Sequence, residues 1–147
     1  MPNFKQPPCP TEHEEQVLVC SWARGYAKIH NDYRLELLHG DSSGVRVPIG
    51  CAVKMKRAGA IKGWPDLFLP VPTVVKKQDI TVDGKVQFTL NSGFYGLFIE
   101  LKRLRGGVVS QEQKEIHEAL RAQGYRVEVC RGAADAIETI KEYLGLG

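Results

Sequence analysis

The chain is 147 residues long and is marked first by what it lacks. Its cysteines, Cys9, Cys20, Cys51 and Cys130, form no C-x-x-C pair, and no histidine stands at zinc-ligand spacing. This argues against a structural zinc and for ordinary reduced thiols. The histidines (His13, His30, His39 and His117) form no i, i+4 pair, so each reads as a surface or helix-end residue. No apolar run approaches a membrane span, and the N-terminal stretch has no signal-peptide core. A membrane partner is therefore not expected, and a cytoplasmic location is. There is no internal repeat and no low-complexity run. The net charge is only +3 and the pI about 8.7, a weak pointer to a polyanionic partner. What remains is 43% hydrophobic and 25% charged, the composition of one globular domain large enough for a real core.

The most informative stretch present is Gly96 to Lys102, Gly-Leu-Phe-Ile-Glu-Leu-Lys. It reads as a buried strand, yet it carries Glu100 and Lys102. Alternation puts these two on one face, their Cα atoms roughly 6.5–7 Å apart, with Ile99 and Leu101 on the other. Charges in an apolar strand are costly unless they pair or bind something.

Around this strand the chain reads as mixed α/β: a small mixed sheet flanked by helices. Residues 1–10, with four prolines, are expected to form a flexible arm, and 11–147 a single domain. Thr11 and Glu14 form a capping-box pattern opening a helix from about Glu12 to Tyr26. Val17, Leu18, Cys20, Trp22 and Ala23 are its apolar side, and Glu12, Glu15, Gln16 and Val19 a second stripe. Tyr33–Leu38 is expected to be a strand and 39–44 a loop. A helix from Pro48 to Gly59 would bury Ala52, Val53 and Met55 and expose Lys54, Lys56 and Arg57. Pro65 marks the entry of a strand through Leu67–Leu69. Asp83-Gly84 between alternating arms predicts a hairpin near 80–90. Ser110 with Gln113 caps a helix ending at Gly124, with Ile116, Ala119 and Leu120 inward. A strand at Tyr125–Cys130 and a helix at Ala133–Leu144 complete the order.

Three charges thus stand where apolar residues would cost less: Asp66, at a strand entry, with Glu100 and Lys102. Two carboxylates brought together repel unless a cation lies between them. Mg²⁺ or Mn²⁺ takes oxygen ligands and few protein groups, and the Leu101 carbonyl could add one. Such an ion acidifies water for attack on a phosphate, with Lys102 placed to assist. The plain alternative is an ion pair on a half-exposed sheet face.

Pro65-Asp66 followed by Glu100-Leu101-Lys102 resembles the two motifs of the PD-(D/E)XK nuclease superfamily. More narrowly, the sequence resembles the VRR-NUC (virus-type replication-repair nuclease) domain. That likeness rests on Gly63-Trp64-Pro65-Asp66-Leu67, Phe98–Lys102, Ser110–Lys114, Gly124-Tyr125 and Val129-Cys130-Arg131. The resemblance implies a restriction-endonuclease-like core and a Mg²⁺- or Mn²⁺-dependent DNA endonuclease without a nucleotide cofactor. Asp66 and Glu100 would hold the metal, Lys102 would be the catalytic lysine, and Gln113 would match the family's glutamine. Gln113 also reads as a plain capping residue. A first-helix carboxylate is expected near the metal. Glu12, paired with Gln16, fits that pattern best, with Glu14 and Glu15 left open. Members of this length look phage-like, which implies the host-cell cytoplasm, branched DNA as substrate, and homodimers that resolve four-way junctions. Flap cutting, nicking and a catalytically silent DNA-binding module are the alternatives. Lys62, Arg103, Arg105 and Arg131, with Lys54, Lys56 and Arg57, are the candidate phosphate contacts. The long interval between Asp66 and Glu100 departs from the family pattern. The hairpin inside it reads as a dimer arm, a DNA wedge or neutral decoration.

Overall fold

The computed structural model describes residues 5–41 and 46–147. Part of the expected arm (1–4) and part of the 39–44 loop therefore lie outside the described residues. In chain order the elements are α1 (Glu12–His30), a 3₁₀ turn (Tyr33–Leu37), β1 (His39–Gly40), α2 (Ile49–Arg57) and β2 (Leu67–Leu69). They continue with β3 (Thr73–Val82), β4 (Lys85–Phe94), β5 (Leu97–Lys102), α3 (Gln111–Ala122), β6 (Arg126–Arg131) and α4 (Gly132–Leu144).

The main sheet has the order β1-β2-β5-β6. β1 and β2 are antiparallel, as are β2 and β5, while β5 and β6 are parallel and joined through α3. This is the expected mixed sheet among helices. β5 lies at its centre, and all six of its residues are buried. Leu97, Ile99 and Leu101 face a core built with Val19, Ala23 and Ala27 of α1 and Ala133, Ala136 and Ile140 of α4. The alanines let both helices approach closely. On the opposite face Phe98 packs with Leu120 and Val127, flanked by Trp64, Phe68, Ile116 and Tyr125. Glu100 and Lys102 share that face with Phe98.

The hairpin is present with its turn at Asp83-Gly84, but it is longer than expected. β3 and β4 pair only with each other, as a separate two-stranded ribbon. Ile80 lies opposite Phe88 and Gln78 opposite Leu90, so Ile80, Phe88 and Leu90 share one face. Phe88 and Leu90 remain 55% and 51% exposed. Asp79 and Thr89 pair on the other face, where the Thr89 hydroxyl donates to the Asp79 carboxylate.

Several local expectations are corrected. Tyr33–Leu37 is a 3₁₀ turn, not a strand, because Asp32 caps it: its carboxylate accepts from the Arg34 amide and pairs with the Arg34 guanidinium at 2.7 Å. α1 runs on to His30, stopped by Asn31 in the left-handed conformation. Its buried face is Glu15, Val19, Ala23 and Ala27, the stripe that begins with the acidic residues, while Val17 and Leu18 are exposed. α2 buries no residue; Val53 and Ala52 are exposed and Met55 is only half-buried, because the helix lies outside both cores. In α3 the inward residues are His117 and Leu120, and Ala119 is exposed.

Candidate active site

The β2–β5 register, Leu67 opposite Ile99 and Phe68 opposite Phe98, continues one step to set Asp66 opposite Glu100. Facing residues of an antiparallel pair project to the same side. Asp66 lies just before β2, and its Oδ2 accepts the Leu101 amide at 2.7 Å. A residue's N–H and C=O point to the same edge of an extended strand, so the Leu101 carbonyl also faces Asp66. The strand carrying Asp66 is set by its entry loop. Gly63 has φ +86°, and a Cβ there would lie 2.9 Å from the backbone of Glu112 and Gln113. Only glycine lets this loop run so close over the start of α3.

Glu100 is 1% exposed and Lys102 is 5% exposed. Glu100 Oε1 accepts from Lys102 Nζ at 3.1 Å and from Gln113 Nε2 at 2.7 Å. The Gln113 side chain has a second use, because its Oε1 accepts the Ser110 amide and completes the capping box of α3. One amide therefore fixes both the helix start and the rotamer of Glu100, which joins the two readings the sequence left open. Glu100 Oε2 is buried without a hydrogen-bond partner. His117 Nε2, equally unpartnered, stands 3.5 Å from it. Burial, with Arg121 and Lys102 nearby, holds the His117 imidazole below its ordinary pKa, so it faces Glu100 uncharged at neutral pH.

The three acidic residues of the first helix turn part ways. Glu14 is spent in the Thr11 capping box. Glu15 is buried, and its Oε2 accepts the Ala133 amide at 2.7 Å, capping the start of α4 from another helix. Glu12 is turned toward Lys102, with Oε1 4.0 Å from Nζ and 41% of its side chain exposed.

Burial pushes the Asp66 carboxyl up to about 7, reinforced by Glu100 and more weakly by Glu12; the Leu101 amide and Lys102 oppose the rise. Burial also raises Glu100, against the pull of Lys102. The two acids perturb each other, so they share one buried space. Among the described residues no group of three His, Cys, Asp or Glu side chains is gathered as a finished metal cage. The donor set is instead two carboxylates and a carbonyl. It suits a hard cation that keeps several waters, and the unpartnered Glu100 Oε2 is the atom such an ion would satisfy.

The candidate phosphate contacts are differently placed. Lys62 is on the surface and pairs with Glu112 at 3.0 Å. Arg103 donates to the Cys9 carbonyl, and Arg105 to Gln6 Oε1 and the Pro7 carbonyl, so residues 6–9 of the arm are held on these two side chains. Arg131 donates to the carbonyls of Arg103 and Gly107, bracing the turn after β5. Lys54, Lys56 and Arg57 are exposed on α2.

The VRR-NUC domain profile matches residues 10–134, most of the chain. The chain belongs to the VRR-NUC family. A solved structure described as a VRR_NUC domain protein is 25% identical to it, with a TM-score of 0.66 over 95% of this chain and 93% of that one. No curated protein matches the sequence. Membership in the VRR-NUC family carries nuclease chemistry of the PD-(D/E)XK type, and in this member Asp66, Glu100 and Lys102 lie together on one face of the sheet.

Sequence reasoning missed one residue beside this candidate VRR-NUC site, His117, and the structural role of another, Glu15. His117, read as a surface residue, is 2% exposed. The signal was its spacing, since Gln113, His117 and Leu120 stand at i, i+4 and i+7 and so share the face turned to β5. Glu15 was weighed only as a metal neighbour; nothing local announces that it caps a helix more than a hundred residues away.

Proposed function

We propose that this chain is a divalent-metal-dependent endodeoxyribonuclease that cuts branched DNA and resolves four-way junctions as a homodimer. The observation that carries the reading is the buried cluster of Asp66, Glu100 and Lys102, whose two crowded carboxylates and one unpartnered oxygen suit a cation. Asp66, Glu100 and the Leu101 carbonyl would hold Mg²⁺ or Mn²⁺, with Glu12 at the rim. When bound, the ion supplies Lewis-acid polarisation of the phosphate and lowers the pKa of water.

The chain's own residues do the remaining work. Gln113 and Lys102 fix one oxygen of Glu100, leaving the other free to bind. The Leu101 amide fixes Asp66 in the same way. The Lys102 ammonium, on the face of the sheet shared with both acids, offsets negative charge as it develops on the phosphate and orients the attacking water. Release of the arm would free Arg103 and Arg105 for DNA phosphates.

The exposed apolar face of the ribbon supports the dimer. A lone two-stranded hairpin is marginal in water, and Ile80, Phe88 and Leu90 form a strip that a second copy could cover. Two-fold symmetry would then set two active sites against opposite strands of a symmetric junction.

The test is cleavage of four-way junction, flap, nicked, linear duplex and single-stranded DNA with Mn²⁺ and with EDTA. Paired cuts across the junction, lost in EDTA, are the expected result. Flap or nick cutting without junction cutting would move the protein to another nuclease specialty. Binding with no cutting under either condition would make it a silent module.

A further inference from the structure

Beside the acidic cluster, on the same face of the sheet, lies a hollow of about 340 Å³. Trp64, Phe68, Phe98 and Tyr125 line it together with His39 and Asp41. The rings form a connected set. Phe68 and Phe98 stack at 4.2 Å between centroids, Trp64 meets Phe98 edge-on at 5.6 Å, and Tyr125 meets Phe98 at 5.3 Å. Trp64, Phe68 and Tyr125 are only half-buried, so their rings are reachable from solvent. The same rings close the second core over Leu120 and Val127, and they leave Trp64, Phe68 and Tyr125 half-buried at its border.

We propose that this hollow receives one unstacked nucleobase of the DNA, belonging to a nucleotide that flanks the cut phosphate. The inference rests on the nuclease reading above and specifies how that site takes its substrate.

The hollow is lined by close chain neighbours of the acidic residues. Pro65 lines it and is followed directly by Asp66, and the Asp41 amide donates to the Asp66 carbonyl at 2.8 Å. Phe98 precedes Glu100 by two residues on the same face of β5, roughly 6.5–7 Å along the strand. That is the scale of the step from a nucleotide's phosphate to its base. The walls suit a base rather than a phosphate. The half-buried rings of Trp64, Phe68 and Tyr125 can bind any base by stacking, and among the described residues no lysine or arginine lines the hollow to hold an anion. The volume falls at the small end of the roughly 300–1,000 Å³ range of ligand clefts, enough for one planar ring system and not for a duplex. Nucleotides at a branch point are the ones least costly to unstack, which ties the hollow to branched substrates.

The test compares cleavage rates as ratios, so that a loss of folded protein cancels. The cut position is mapped with the wild-type protein and Mn²⁺. Substrates carrying an abasic nucleotide on either side of it are then prepared. The wild type should cut one abasic substrate about tenfold less efficiently than the intact DNA, the scale of one lost base stack. Trp64→Ala should cut intact and abasic DNA at equal rates, and Trp64→Phe, which keeps a ring face, should restore most of the difference. Equal cutting of intact and abasic DNA by the wild type would overturn the proposal while leaving the nuclease standing. A tenfold ratio that persists in Trp64→Ala would also overturn it, because the base would then be read elsewhere. Absence of any cutting by the wild type would remove the nuclease reading and this one with it.

Discussion

β5 and the β3–β4 ribbon break the same rule in opposite directions. β5 is the most enclosed strand of the protein and carries Glu100 and Lys102, both at most 5% exposed. The ribbon is largely open to solvent and carries Phe88 and Leu90, each more than half exposed. Buried charge costs free energy unless it is paired or bound, and exposed apolar surface forgoes what burial would return. Only the first irregularity is largely compensated within the chain, by Lys102 and Gln113. The second has no compensation among the described residues. The difference is the ground for proposing chemistry at β5 and an outside contact for the ribbon.

The largest effects are expected at β5. Asp66→Ala, Glu100→Ala and Lys102→Ala should each reduce cutting by at least roughly 10²–10³-fold while junction binding persists, read by gel shift and cleavage on the same samples. Normal cutting by Lys102→Ala would remove its assigned role. Next in size is Gly63→Ala. A side chain at φ +86° meeting the α3 backbone should cost on the order of 2 kcal/mol or more in urea unfolding, and should lower activity by displacing Asp66.

A third prediction concerns pH. The folded-state pKa of Asp66 is raised to about 7, from roughly 3.9 in an unfolded chain. A raised folded-state value means that Asp66 contributes its stability in full below about pH 4 and loses it as pH rises through about 7. Without divalent metal, Asp66→Asn should therefore melt higher than wild type at pH 8 and lose that advantage at pH 4. Identical melting of the two proteins at pH 8 would mean the carboxylates are not crowded.

The smallest effect on stability belongs to the ribbon. Phe88→Ser combined with Leu90→Ser should change the unfolding free energy of the single chain by no more than about 0.5 kcal/mol per site, as expected for exposed positions. The same variant should turn a sedimenting dimer into a monomer. A dimer that survives would move the interface elsewhere and leave the ribbon free to meet DNA.

Sequence patterns picked out the residues that converge in the candidate site better than they described its surroundings, for a physical reason. Asp66 and Glu100-Leu101-Lys102 were legible because a charge in an apolar strand is conspicuous wherever the strand sits. Ser110 with Gln113 and Asp83-Gly84 were legible because capping and tight turns are settled within four residues. The inward face of α1 was misjudged, since Val17 and Leu18 look more apolar than Glu15 and Ala27. Which side of a helix is buried depends on its neighbours, here α4 and β5. Tyr33–Leu37 alternates like a strand, but the carboxylate of Asp32 outweighs that pattern by capping a helical turn. His117 was invisible for a related reason, because its burial depends on where α3 lies across the sheet.

In the proposed mechanism Asp66 and Glu100 converge on one divalent ion. Calorimetric titration of Mn²⁺ into the wild-type protein, Asp66→Asn and Glu100→Gln at pH 7.5 tests it without reference to any DNA. Saturable binding to the wild type, lost in each variant, is the expected result. Binding of equal strength in all three proteins, or none in the wild type, would contradict it.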